Sequence, residues 1–302
     1  MTKKHLILYW VLAGVIALSY FCFCAEVFGQ WQSGAQPMLG RQIDWAHPLS
    51  KGFVGLWLFN EGSGNRVNDL SGNRTIFDDW TNSPVWVPGG LDFENAVTTQ
   101  WITSNSPAIS AIGTGNYTLI LGLKVEAYNV NNCGTFTFGV FDPSWVMDSS
   151  GHPYIYDGGN KTASSGVVPI GVDTVVAYVR EGTGAGQLKY YIDGVSAGTS
   201  THSDSINAPS TVTIGSDRDS SSIYDYDGVV RFVYLYNRAL TSSEVSQLYR
   251  EPFCMFEGDL TVAQMYDYGE APAPSGQFIT IQMSVIPLFI LFTAICFVKG
   301  RK

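Results

Sequence analysis

The stretch YTLILGLKVE, residues 117–126, places Leu119, Leu121, Leu123 and Val125 at every second position. Successive side chains of a strand point to opposite faces, so this spacing predicts an extended segment with one buried side. The pattern recurs. TFTFGVF (Thr135–Phe141) alternates as well, and VGLWLF (Val54–Phe59) is a near-continuous apolar run, as in a buried strand. TVVAYVREGTGAGQLKYYIDGVSAG predicts a hairpin with strands Val175–Val179 and Leu188–Ile192 and a glycine-rich loop. Asp193-Gly194 then makes a tight turn into a third strand. Thr211–Asp217 and Val229–Tyr236 complete the series. Short strands at this spacing, with turn signals between them, predict two packed antiparallel sheets. The chain carries 32 glycines and 14% aromatic residues against 14% charged ones, a balance that suits strands and turns better than helices.

One helix is expected in the body, from Thr241 to about Arg250. Thr241 and Glu244 have the T-x-x-E spacing of a capping box, which satisfies the free N–H groups of a first turn. Leu240, Val245 and Leu248 give it an apolar stripe that faces the sheet.

Both ends of the chain are apolar. Lys3 and Lys4 precede HLILYWVLAGVIALSYFCF, a charged and then apolar order that fits a secretory leader. Cleavage before Gln30 and retention as an uncleaved anchor both remain open. Phe278–Val298 contains no charged residue, is about long enough to span a bilayer, and is followed at once by KGRK. The positive-inside tendency puts this basic tail in the cytoplasm and the preceding chain outside. The expected organisation is a leader or anchor at 1–29, a polar lead-in at 30–44, a sandwich at 45–256, a linker at 257–277, a membrane helix at 278–298 and a basic tail at 299–302. The sandwich is then extracellular or periplasmic. The formal net charge of −9, with no long basic run, argues against nucleic acid as a partner. Of five cysteines, only Cys133 and Cys254 fall in the exported part, and sequence alone does not say whether they pair.

Four stretches in order carry a resemblance: GLWLFNEGSGNRVNDLSGN (55–73), PGGLDFENAVTTQWITS (88–104), YYIDGV and TIGSD, and the closing YNRAL corner with its capped helix and LYREPF. Together they resemble the laminin-G-like domains of the concanavalin A-like lectin/glucanase superfamily, over roughly Ala46 to Phe256. The resemblance implies an all-β jelly-roll sandwich of two antiparallel sheets with one short C-terminal helix, to which this chain adds terminal hydrophobic helices. It also implies a non-catalytic binding module; a glycan or a cell-surface protein is the expected partner, and membrane attachment is expected separately, through the apolar segment 278–298, which is no part of the resemblance.

Candidate site residues are few. The acidic loop SDRDSSSIYDYDG offers Asp217, Asp219, Asp225 and Asp227, hard oxygen donors suited to calcium, though not at EF-hand spacing. In the resembled family an acidic position before the YNRAL corner is tied to a structural calcium; here Arg231 stands in that stretch. Asp69 and Asn73 are a second oxygen-donor pair, read mainly as turn formers. Trp57 and Phe93 are expected in the core. Trp80, Trp86, Trp101, Trp145 and Tyr224 are candidates for stacking on sugars. The E-x-D-x-E acid set of the superfamily's glucanases does not occur, so the chain is expected not to be an enzyme. Gly194-Val195-Ser196-Ala197-Gly198 matches G-x-S-x-G, but no helix pattern follows to form a nucleophile elbow. His5, His47, His152 and His202 form no metal pair, and no Cys/His cluster suggests zinc. Rival readings are a structural surface or virion protein assembled through its sandwich, and a glycoside hydrolase with an atypical acid pair. Asn73, Asn116 and Asn160 lie in N-x-T sequons, which have meaning only in a glycosylating host.

Overall fold

A computed structural model describes residues 36–94, 99–129, 132–139, 143–157, 159–216 and 225–257. The expected leader (1–29) and membrane helix (278–298) lie outside these residues. Among the described residues, no helix is long and apolar enough to cross a membrane.

Among the described residues, fourteen strands form two sheets. The larger sheet has the order β12 (Val195–Ser200), β11 (Leu188–Ile192), β10 (Asp173–Arg180), β6 (Tyr117–Ala127), β14 (Asp227–Tyr236), β4 (Gly90–Phe93) and β3 (Val85–Val87). β1 (Phe53–Trp57) pairs with the last part of β14, on the side where β4 pairs with its first part. The smaller sheet has the order β2 (Asp79–Thr81), β5 (Trp101–Ser104), β13 (Val212–Ile214), β7 (Asn132–Phe138), β8 (Ser144–Asp148) and β9 (Pro153–Tyr156). Every pairing between named strands is antiparallel, so this is the expected jelly-roll sandwich.

Leu119, Leu121, Leu123 and Val125 of β6 all enter the core between the sheets, opposite Phe136, Phe138, Trp145 and Ile155. Trp57 and Phe93 are fully buried there, as expected. The Trp57 indole N–H donates to the Thr75 carbonyl at 2.7 Å, which satisfies the one polar atom a buried tryptophan brings.

The outer face of the larger sheet is also covered. Ile120, Val175, Ala177, Val179, Phe232, Tyr234 and Tyr236 pack beneath Leu240, Val245 and Leu248 of the corner and helix α1 (Ser242–Arg250), together with Ile43, Leu49 and Met255. β14 is therefore buried on both faces, which is why it reads as a continuous apolar run and not as an alternation. The capping box is formed: the Thr241 hydroxyl accepts the Glu244 N–H, and the Glu244 carboxylate accepts the Thr241 N–H.

The Asp193-Gly194 turn joins β11 to β12 with positive φ at both residues, 51° and 74°. A Cβ on Gly194 would lie 3.1 Å from the Ser246 backbone, so the turn docks tightly against α1. Strand ends differ from expectation by a few residues. β7 begins at Asn132, not Thr135, and β1 closes at Trp57, two residues early. The body also begins before Trp45: Ile43 bridges Phe256, and Gln36 bonds the Leu58, Gly89 and Arg231 carbonyls. Cys133 lies in the core between the sheets and Cys254 in the layer beneath α1, and both are free.

Candidate binding groove

The lead-in is tied down by polar side chains. Besides Gln36, the Asn60 amide donates to the Pro37 carbonyl at 2.7 Å. The Asp44 N–H donates to the Met255 carbonyl and the Ser50 hydroxyl to the Asp44 carbonyl. Trp45 thus rides on an anchored turn while its side chain stands 49% exposed. Met38 and Leu39 are 72% and 63% exposed beside it. A cluster of exposed apolar residues around a depression is an unusual surface, and such patches mark binding sites.

The depression is a cavity of about 190 Å³, lined by Arg41, Trp45, Asn60, Glu61, Asn68 and Leu70 among others. The Glu61 carboxylate accepts the Asn68 backbone N–H at 2.8 Å and its amide at 3.1 Å through Oε1. Glu61 Oε2 is buried without a protein hydrogen bond. A second cavity of about 460 Å³ shares Met38, Leu39 and Asn60 with the first and is lined by Trp86, Pro88 and Gly62. The two form one groove with an indole in each half. Trp86 is set by its N–H, which donates to the Gly64 carbonyl at 2.7 Å, and by Trp80, whose ring centroid lies 5.7 Å away.

Aromatic faces, two amides, a carboxylate and a guanidinium side by side are what a polyhydroxylated ligand with apolar ring faces requires. Of the aromatics proposed from sequence, Trp86 is the only one among the described residues that lines this groove. Trp145 must be withdrawn: it is fully buried between Tyr117, Phe136 and Phe138. Trp80 and Trp101 are half-buried, and Tyr224 lies outside the described residues. Sequence reading missed Trp45, Asn60, Glu61 and Asn68. The NEGSG stretch does make turns at Gly62 and Gly64, but its first polar residues sit at a strand end, a usual place for sites.

The acidic loop is seen in part. Asp217 and Asp219 lie outside the described residues. Asp227 opens β14 and Asp225 is fully buried. Burial pushes the Asp225 carboxyl up to about 6, against the opposing hydrogen bond of the Ser216 hydroxyl. Asp69 is committed to the fold: Oδ1 accepts the Leu56 and Ser71 N–H groups and Oδ2 that of Thr75. The Asn73 amide likewise donates to the Val54 carbonyl and the Ser71 hydroxyl. Arg231, which stands where the family's acid was expected, donates to Asp173 at 2.9 Å and to the Pro88 carbonyl at 2.8 Å. His47 caps the short turn Pro48–Ser50, its Nδ1 accepting the Leu49 N–H. Ser196 lies in β12, with no helix after it, so the G-x-S-x-G match has no elbow geometry.

Two further clusters appear only in three dimensions. Asp92, Glu94 and Glu126 bring carboxylate oxygens within 4.8 Å of one another. Burial, then repulsion from Glu126 and Glu94, raises the Asp92 carboxyl above its ordinary value. Asp157, His202 and Asp204 form the second cluster.

The fold and its layers define a jelly-roll sandwich of two antiparallel sheets. Residues 97–246 match the family model of the concanavalin A-like lectin/glucanases superfamily. No curated protein sequence matches the chain. Among solved structures, a Trypanosoma rangeli sialidase in complex with sialic acid is similar, at 19% identity and a TM-score of 0.52 over 68% of this chain and 33% of that one. Domain 4 of the arabinanase AbnA from Geobacillus stearothermophilus, in complex with arabinotriose, is 17% identical with a TM-score of 0.50, over 66% and 98%. The binding domain of botulinum neurotoxin serotype D/C is 10% identical with a TM-score of 0.50, over 67% and 52%. The chain thus spans about a third of the sialidase.

Proposed function

We propose that this chain is a membrane-tethered, extracytoplasmic binding module that holds a carbohydrate in the groove between Trp45 and Trp86, without catalysis. The groove carries the reading: two indoles flank Asn60, Glu61 and Asn68 on anchored turns. Two of the structurally similar proteins contain a sugar, sialic acid in one and arabinotriose in the other, which supports the ligand class. Tethering rests on the charge pattern around the apolar segment 278–298. Calcium at Asp225 and Asp227, with Asp217 and Asp219, belongs to the same proposal as a structural ion. A glycan array probed with a soluble fragment spanning residues 36–257 tests the reading. Selective signal that is lost in Trp45→Ala supports it. Self-association with no glycan signal favours the structural surface-protein reading.

One observation favours a second reading. Asp92 with its raised carboxyl lies beside Glu94 and Glu126, and an acid paired with a carboxylate is the equipment of a glycoside hydrolase. None of the three lines the groove. Release of reducing sugar from a polysaccharide panel, abolished by Asp92→Asn, would establish hydrolysis in place of binding.

A further inference from the structure

His202 is fully buried where the loop after β12 meets the end of β9. Its Nε2 lies 2.7 Å from Asp157 Oδ2 and its Nδ1 3.2 Å from the Tyr117 hydroxyl. Asp204 joins them: a His202 ring nitrogen and one oxygen from each aspartate all lie within 4.8 Å of one another. Arg180, also fully buried, holds the scaffold. Its guanidinium donates to the carbonyls of Asp204 at 2.8 Å, Gly113 at 2.7 Å and Gly115 at 2.7 Å, and lies 4.8 Å from the Tyr117 ring centroid. Lys161 pairs with the Asp204 carboxylate. None of these residues lines the groove.

We propose that Asp157, His202 and Asp204 form a site for a divalent transition-metal ion of the zinc type. The donor set selects the metal class. One imidazole nitrogen and two carboxylate oxygens suit zinc and its neighbours, whereas calcium takes six to eight oxygens. Three protein ligands leave one position open. The second ring nitrogen of His202 already has the polar partner that metal-bound imidazoles need to fix their orientation. When Nε2 binds the ion, the ring proton resides on Nδ1 and is donated to the Tyr117 oxygen. Histidine therefore ligates as a neutral ring.

The surrounding charges set the competition. Arg180 is held by three backbone carbonyls and stays in place. Lys161 occupies Asp204 through a long side chain, so the ion must displace its ammonium. Lys161 thereby limits the affinity of the site.

The full chain in detergent, stripped with EDTA and titrated with zinc by calorimetry, tests this. Zinc should bind and raise the melting temperature, and calcium at this site should not substitute for it. Asp204→Asn changes a side chain that is 46% exposed, so the variant should fold, and it should lose about tenfold or more in zinc affinity. Lys161→Met should bind zinc more tightly than the parent. Cobalt substitution adds a visible spectrum that Asp204→Asn should abolish. Zinc binding unchanged by Asp204→Asn, or weakened by Lys161→Met, would overturn the proposal, as would the absence of any cobalt spectrum.

Discussion

The Thr118 hydroxyl donates to the Arg238 carbonyl at 2.9 Å and accepts the Leu240 N–H at the same distance. One side chain at the start of β6 thereby fixes the YNRAL corner, 120 residues later, and sets α1 onto the outer face of the larger sheet. The corner closes the sandwich, and its residues lie apart from the groove lining.

Thr118→Val should therefore destabilise the domain by about 2 kcal/mol, because the buried Leu240 N–H and the part-buried Arg238 carbonyl lose their partner while shape is kept. Leu248→Ala should cost about 2–5 kcal/mol through the cavity it leaves, and Thr241→Ala about 1 kcal/mol through the lost cap. Denaturant midpoints measure all three. Normal stability with abolished binding in Leu248→Ala would make α1 a ligand element instead.

Groove variants should show the converse. Trp45→Ala should weaken glycan binding by about 1–3 kcal/mol while leaving the unfolding midpoint nearly unchanged, since its side chain is half exposed. Trp86→Ala should weaken binding and also lower stability, because it supports Trp80 and the Gly64 turn. Calorimetry with the best array ligand separates the two effects. Unaltered affinity in both variants would remove the groove as the site.

Stability should depend on pH through Asp225. Its carboxyl is raised to about 6 by burial, while an unfolded aspartate titrates near about 3.9. Between those values the folded chain holds more protons than the unfolded one, so stability falls as pH rises from about 4 to about 6. Asp225→Asn should flatten this part of the melting-temperature profile. A calcium ion at the carboxylate would favour the charged form, so added calcium should raise the melting temperature more at pH 7 than at pH 5. An EDTA-insensitive melt at pH 7 would remove calcium from the loop and leave the pH slope standing.

The Lys flanks at both ends predict topology as well. Protease added to intact cells or vesicles should remove the sandwich. A sandwich protected until the membrane is permeabilised would contradict the extracytoplasmic placement.

What the sequence by itself determined is local. The alternation of Leu119 to Val125, the Asp193-Gly194 turn and the Thr241–Glu244 capping box each depend on residues a few positions apart. Each could therefore be read from spacing and found in place. Tertiary structure alone decided which aromatics face solvent. Trp145 and Trp45 look alike in the sequence, yet one is sealed between two sheets and the other stands on the surface. The groove also needed the fold, because segments near residues 36–45, 60–70 and 86–89 meet only when β1, β4 and the lead-in close around β14. The same holds for Asp157 and His202, separated by 45 residues and joined at 2.7 Å. Spacing rules describe neighbours along a strand or helix. Side chains brought together by a sheet crossover have no such period, so packing is what reveals them.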